Sequence, residues 1–401
     1  MTRFDFSAIN IFETEQSFLT NACVGKNCIH DMQTYAEGYL KSAQILADHV
    51  IKPEKMSDRD ILVHPILYSV RHAIELSIKH VLIELNDKAN VKTDINLIIG
   101  HCLKPLWELF KQQASFDRRL VKFIEEIDPL VLHIDSADSE GQDFRYPTNI
   151  NGDKTYDGRM TVDLAAVRNF IHPLRIKVMF LFDLTEKIIS ERIVGAYTDK
   201  FNREELEQLS KDLPDIESWR TPAFKEVKSR WISKYKISNR AFSGAVDFIK
   251  KHREFSGNIG NEHALFSLDG DLLKSLAKEK HRIRKKEKSY TFLQYNRLAL
   301  ETYNKFCEKL SASDVAELQA IYYLGSSSEL SEWYENGFEL RNSEVSDSNI
   351  KKEFEHIFSK IDFVKGMING LNKIGMISLA SELKQYEYEG KTGIEIIDLT
   401  L

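Results

Sequence analysis

Three groups of residues could do chemistry by type and spacing. Arg71, Glu75 and Lys79 recur every fourth position, so on a helix they form one stripe of alternating sign. Such a stripe is ordinarily a ladder of surface ion pairs, each contributing about 0.3–0.5 kcal/mol. The run KEKHRIRKKEK, Lys278–Lys288, carries seven Lys and Arg against two Glu. Its Lys280, Arg282, Arg284, Lys285 and Lys286 are candidate contacts to nucleic-acid phosphates, and Tyr290 and Phe292 just beyond offer rings for stacking. The commoner reading of such a run is a solvated helix face or loop. Cys23 and Cys28, with His30 nearby, have the donor types of a metal site. A zinc site usually shows a second paired cluster, and none follows. These cysteines, with Cys102 and Cys307, read as reduced thiols, and neither a metal nor a cofactor is expected.

Several chemistries are argued against by what is missing. Gly257-Asn-Ile-Gly260 fits neither a P-loop nor a dinucleotide fingerprint. Asp269-Gly-Asp271 lacks the rest of a calcium loop. No Gly-x-Ser-x-Gly elbow and no His-Glu-x-x-His occurs, which argues against a common serine hydrolase and a zincin. The net charge of −6 provides no global field for nucleic acid, so any such contact must be a local patch.

The elements that must position these groups read as helices. Met32, Tyr35, Ala36, Tyr39, Leu40, Ala43, Leu46 and Val50 follow steps of three and four, one apolar face of a helix that Pro53 ends. Leu67, Val70, Ile74, Ile78, Val81 and Leu85 mark the next helix, with Pro65 near its first turn. Gly100 and His101 open a third, and 117–127 continues in helical rhythm. Residues 134–161, rich in Gly, Asp, Asn and Thr, read as a long loop. Asp163 to about Arg192 returns to a long helix, interrupted or kinked at Pro173. Residues 258–271 read as a loop and 290–310 as a helix. Asp314, preceded by Ser311 and Ser313, reads as an N-cap for Val315–Leu324, which Gly325 ends. Helices at 349–370 and 374–386 and a short strand or docked tail complete the chain. With 18 Gly and 8 Pro in 401 residues and few strand signals, the class is mainly α. The expected organisation is a lead-in over 1–29, a helical domain over 30–195, a linker over 196–222 and a C-terminal helical domain over 223–401. The N-terminus lacks an apolar signal core, and no apolar stretch approaches the ~18 residues of a membrane span. A cytoplasmic protein without a membrane partner is expected.

Three segments in order, RHAIELSIKH (Arg71–His80), GHCLKPLW (Gly100–Trp107) and FRYP (Phe144–Pro147), resemble the HEPN superfamily. These are small helical domains of bacterial and archaeal toxin–antitoxin, abortive-infection and CRISPR-associated proteins. The resemblance covers about residues 30–195 and implies a helical bundle there. Many members are metal-independent ribonucleases. They carry an Arg and a His on the last long helix, and two such sites face each other across a dimer. An arginine steadies the phosphate and its developing charge, while a histidine transfers a proton near neutral pH. On the last long helix, 163–192, no Arg has a His at the family spacing. The nearest match is Arg168-Asn-Phe-Ile-His172, with three residues between, which still places both side chains on one helix face. The resemblance thus implies RNA as partner, Arg168 on the scissile phosphate, His172 moving the proton, and a homodimer or a complex with a defence partner protein. It also draws Arg71, Glu75, Lys79, His101 and Arg145 together, either as an ionic network fixing the FRYP loop or as a phosphate or nucleotide site. The departure in spacing leaves a second reading, a catalytically inactive sensor or scaffold that binds a partner protein or a nucleotide.

Overall fold

The computed structural model describes residues 21–24, 31–92, 98–148, 152–155, 161–287, 301–302 and 304–387. Among them the secondary structure is helical, with one isolated bridge between Thr148 and Lys154. The chain divides into two compact units, 1–189 and 190–401. No helix among the described residues is long and apolar enough to cross a membrane. Cys28 and His30, the aromatics Tyr290 and Phe292, most of the helix at 290–310 and the C-terminal strand or tail lie outside the described residues.

The first unit is built on α1 (Met32–Val50), α2 (Arg59–Ala89), α3 (Leu103–Ala114), α4 (Arg118–Ala137) and α5 (Leu164–Ile193). Asp31 starts α1 by accepting the amide of Thr34 at 2.8 Å, which satisfies an otherwise orphan donor. Ala36, Leu40, Ala43, Ala47 and Val50 form its buried face. Three of the five are alanines, so α1 lies close along α2. Pro53 opens a 3₁₀ segment rather than sitting at the stop of α1. α2 runs 31 residues to Asn90, whose positive φ of 54° turns the chain out of the helix. It is buried on nearly every side: Val70, Ile74, Ile78 and Leu82 on one, and Arg71, Glu75 and Lys79 on another. The expected surface ladder is therefore an interior one. α4 extends to Ala137, so the loop begins later than the composition suggested. α5 continues through Pro173. The ring there sits on the exposed side.

The second unit holds α6 (Arg203–Asp212), α7 (Pro222–Tyr235), α8 (Asn239–Lys251), α9 (Arg253–Gly257), α10 (Gly270–Glu287), α11 (Ala312–Ser326), α12 (Trp333–Glu344), α13 (Ile350–Ser359), α14 (Phe363–Lys373) and α15 (Ile377–Leu383). The segment read as a linker contains α6. Asn202 and Glu205 close a capping box there, and Leu206 and Leu209 enter a core with Phe201, Trp231 and Phe242. The cap lies three residues earlier than expected: Ser311 caps the helix, and Asp314, within its first turn, closes a capping box with it. Gly325 does not end its helix. α11 continues to Ser326, and a Cβ on Gly325 would run into the backbone of Gly366 and Gly370. Gly366-Met-Ile-Asn-Gly370 on α14 thus meets Gly325 backbone to backbone, where only glycine leaves room. The helix expected over 349–370 is broken at Lys360–Asp362 into α13 and α14.

Candidate functional site

Arg71 is the centre of the first unit's polar interior. It is 1% exposed. Its Nη1 donates to Glu75 Oε2 at 2.6 Å, its Nε to the carbonyl of Asp138 at 3.0 Å, and its Nη2 to the carbonyls of His101 at 2.5 Å and Ser139 at 3.4 Å. Glu75, 2% exposed, accepts on its other oxygen from Lys79 Nζ at 2.8 Å and His101 Nδ1 at 2.9 Å. Burial alone would raise its pKa. Hydrogen bonds from His72, Lys79 and His101 outweigh that and hold the carboxyl well below the ordinary range. A buried charge is tolerated only with such partners.

The FRYP loop is tied to the same guanidinium. Asp138, fully buried, accepts the amides of Gln142 at 2.7 Å, Asp143 at 3.1 Å and Phe144 at 3.4 Å. Gly141 adopts φ +73°, and a Cβ there would lie 3.0 Å from Arg71 Cζ. Arg145 stands outside this network. It donates Nε to the Gly141 carbonyl at 2.6 Å, and its guanidinium carbon lies 5.7 Å from the Tyr68 ring and 5.4 Å from the Tyr146 ring. The five residues expected to gather thus fall into two sets. Arg71, Glu75 and Lys79 are an enclosed, internally satisfied ionic core that fixes the loop. His101 and Arg145 are exposed above it. The two buried cations Arg71 and Lys79 match the two buried carboxylates Glu75 and Asp138, so the core itself offers no net charge to a ligand.

Arg168 and His172 lie elsewhere, on the outer face of α5, both exposed. Arg168 Nε donates to Asp48 Oδ1 at 2.8 Å across to α1, and this contact holds the Asp48 carboxyl below its usual range. An apolar cavity of about 440 Å³ lies on a different side of α5, against Val167 and Phe170, with Leu67, Val70, Ile134 and Phe144 opposite. It does not include Arg168 or His172. Asn169, His172, Ile176, Phe180 and Asp183 follow one another at steps of three and four along the exposed face. Ile176 is 56% and Phe180 50% exposed.

The basic run on α10 divides by helical phase. Lys280 is buried, and its Nζ donates to the carbonyl of Phe358 at 2.6 Å. It is a core contact and not a nucleic-acid contact. The signal was present in the sequence: Leu273, Leu276, Ala277, Lys280 and Ile283 share one helical face and all are buried. Lys278, Arg282 and Lys285 form the exposed stripe, with Arg282 Nε on Glu279 at 2.9 Å. Arg284 and Lys286 are half-buried. Among the described residues no group of His, Cys, Asp and Glu is arranged to hold a metal.

A further charged cluster was not anticipated. In the second unit Arg203 is bound by Glu254 and by Glu332, the latter at 2.9 Å, and His252 Nε2 meets Glu332 at 2.9 Å. Burial opposes ionisation of Glu332, but His252 and Arg203 lower its pKa to about 2. Arg203 is held by both carboxylates, which makes the cluster a pin between α6, α9 and the start of α12. Neither a protein-family description, nor a curated protein, nor a solved structure matches this chain.

Proposed function

We propose that this chain is an RNA-binding protein of the bacterial antiviral-defence or toxin type. In this reading a HEPN-like first unit acts on RNA as a dimer through the outer face of α5. The observation that carries the reading is the exposed stripe on that helix. Arg168, Asn169 and His172 stand on it beside Ile176 and Phe180, so a twofold contact along the apolar part would bring two Arg–His pairs face to face. Arg168 would hold the scissile phosphate and His172 would move the proton, without a metal.

The stripe sets the strength of such a dimer. Ile176 and Phe180 are half-buried already, so full burial adds about 1–1.5 kcal/mol each, or roughly 4–6 kcal/mol over two copies. Association costs about 4–15 kcal/mol in lost freedom. The dimer is therefore weak alone and is tightened by bound RNA.

The spacing of Arg168 and His172, and the Asp48 partner of Arg168, favour a second reading. In it the same unit binds a partner protein or nucleotide as a non-cleaving sensor or scaffold. The test is RNA cleavage by the full chain in excess chelator, beside Arg168→Ala and His172→Ala, with sedimentation of Ile176→Lys at tens of micromolar. Cleavage lost in all three variants, together with dissociation of Ile176→Lys, supports the ribonuclease. Binding without cleavage supports the sensor. Cleavage that survives both substitutions on the Arg–His pair rules out the α5 site.

A further inference from the structure

The surface above the ionic core is built for a ligand that the core itself cannot take. Three exposed groups ring it, and Arg71 underneath fixes where two of them stand. The His101 carbonyl is held on Arg71 Nη2 at 2.5 Å, and the backbone of Gly141, whose carbonyl holds Arg145, packs against the same guanidinium. Arg145 has its Nε engaged, and among the described residues its two Nη groups meet no acceptor. The side chain lies against Tyr68 and Tyr146, and Tyr68 is stacked on His72 at 5.3 Å with 11° between rings. The arginine fork is therefore held in place before any ligand arrives, as bidentate phosphate recognition favours. Tyr146 is 51% exposed and offers its ring to a base. His101 is 62% exposed at the side chain. Its Nδ1 must be the donor to Glu75, because that carboxylate stays ionised. Its Nε2 is then the ring nitrogen left for a ligand.

We propose that Arg145, Tyr146 and His101 form a nucleotide subsite for single-stranded RNA. Arg145 takes a phosphate, Tyr146 stacks a base, and His101 Nε2 hydrogen-bonds the ribose 2′-hydroxyl, which can donate or accept. The proposal rests on the RNA reading above and adds where the strand lies. It also adds what distinguishes RNA from DNA, since only ribose supplies that hydroxyl. The charge balance favours an anion here. The buried core is neutral, and among the described residues Arg145 forms no ion pair.

The test is fluorescence anisotropy of the full chain with a labelled single-stranded RNA and the DNA of the same sequence. His172→Ala is present in every arm to keep the RNA intact. Arg145→Ala and Tyr146→Ala should each weaken RNA binding about tenfold or more, and Tyr146→Phe should restore it. Arg145→Ala should also lower the salt slope by about 1. His101→Ala should bring RNA down to the affinity of DNA and leave DNA binding unchanged. Should Arg145→Ala loosen the loop, Tyr146→Ala decides alone, because Tyr146 is half-exposed and its ring lies against Arg145. RNA affinity unchanged within about twofold in Tyr146→Ala, with the parent binding well, overturns the subsite and leaves the RNA reading standing. A parent that binds no RNA at low salt removes both.

Discussion

Replacing Glu75 with glutamine tests whether the polar interior of the first unit is what fixes its fold. The carboxylate is 2% exposed and accepts from Arg71, Lys79 and His101 at 2.6, 2.8 and 2.9 Å. Glutamine keeps the volume but supplies one acceptor and one donor amide. At least one cation would then face an N–H, with Asp138 the remaining counter-charge. Removing one partner of a buried ion pair costs about 3–5 kcal/mol. For a unit of this size that is a fall in midpoint of roughly 6–20 °C. The assay is thermal and urea unfolding followed by circular dichroism, repeated from pH 7 to pH 3. The folded-state pKa of Glu75 lies below the unfolded value of about 4.3. Its contribution is therefore complete above about pH 5 and is lost as the pH falls through the folded value. The native protein should lose stability on that acid limb, and Glu75→Gln should show a flatter one. A variant with the native midpoint and the native acid limb would refute the reasoning, since it would mean that water rather than the protein satisfies these charges.

Four further outcomes follow from packing and charge. Gly370→Ala should unfold the second unit or lower its midpoint sharply, because the new methyl would meet the Ile321 carbonyl across the α11–α14 crossing; limited proteolysis should release the first unit intact. Gly141→Ala should cost about 1–3 kcal/mol, from the positive φ of 73° and the approach to Arg71 Cζ, read as a shift in the urea midpoint. Lys280→Ala should destabilise the second unit, since it empties a buried position and removes the charged donor to the Phe358 carbonyl. Lys285→Ala, on the exposed side, should leave the midpoint unchanged and weaken any RNA binding at low salt.

The sequence by itself determined the helical class and most helix positions. Steps of three and four among apolar residues report which side of a helix is buried, and local caps such as Ser311 with Asp314 report where one starts. It also placed Arg168 and His172 on one face of α5, because one turn of helix is a local fact. The helix hidden in 196–222 was within reach too: Asn202 with Glu205 is a capping box, and Leu206 and Leu209 share a face. What periodicity does not encode is what covers a face. Arg71, Glu75 and Lys79 read as a surface ladder because a stripe of charges is the same pattern whether water or protein lies over it. Here the His101 carbonyl and the loop at 138–144 lie over it, brought from 30 and 67 residues away. Gly325 read as a stop because glycine ends helices and also permits close crossings, and only the arrival of Gly366 and Gly370 from α14 selects the second role. Local spacing is set by the backbone's own geometry, whereas the medium around a charge, and so its energy, is set by whichever distant segment packs there.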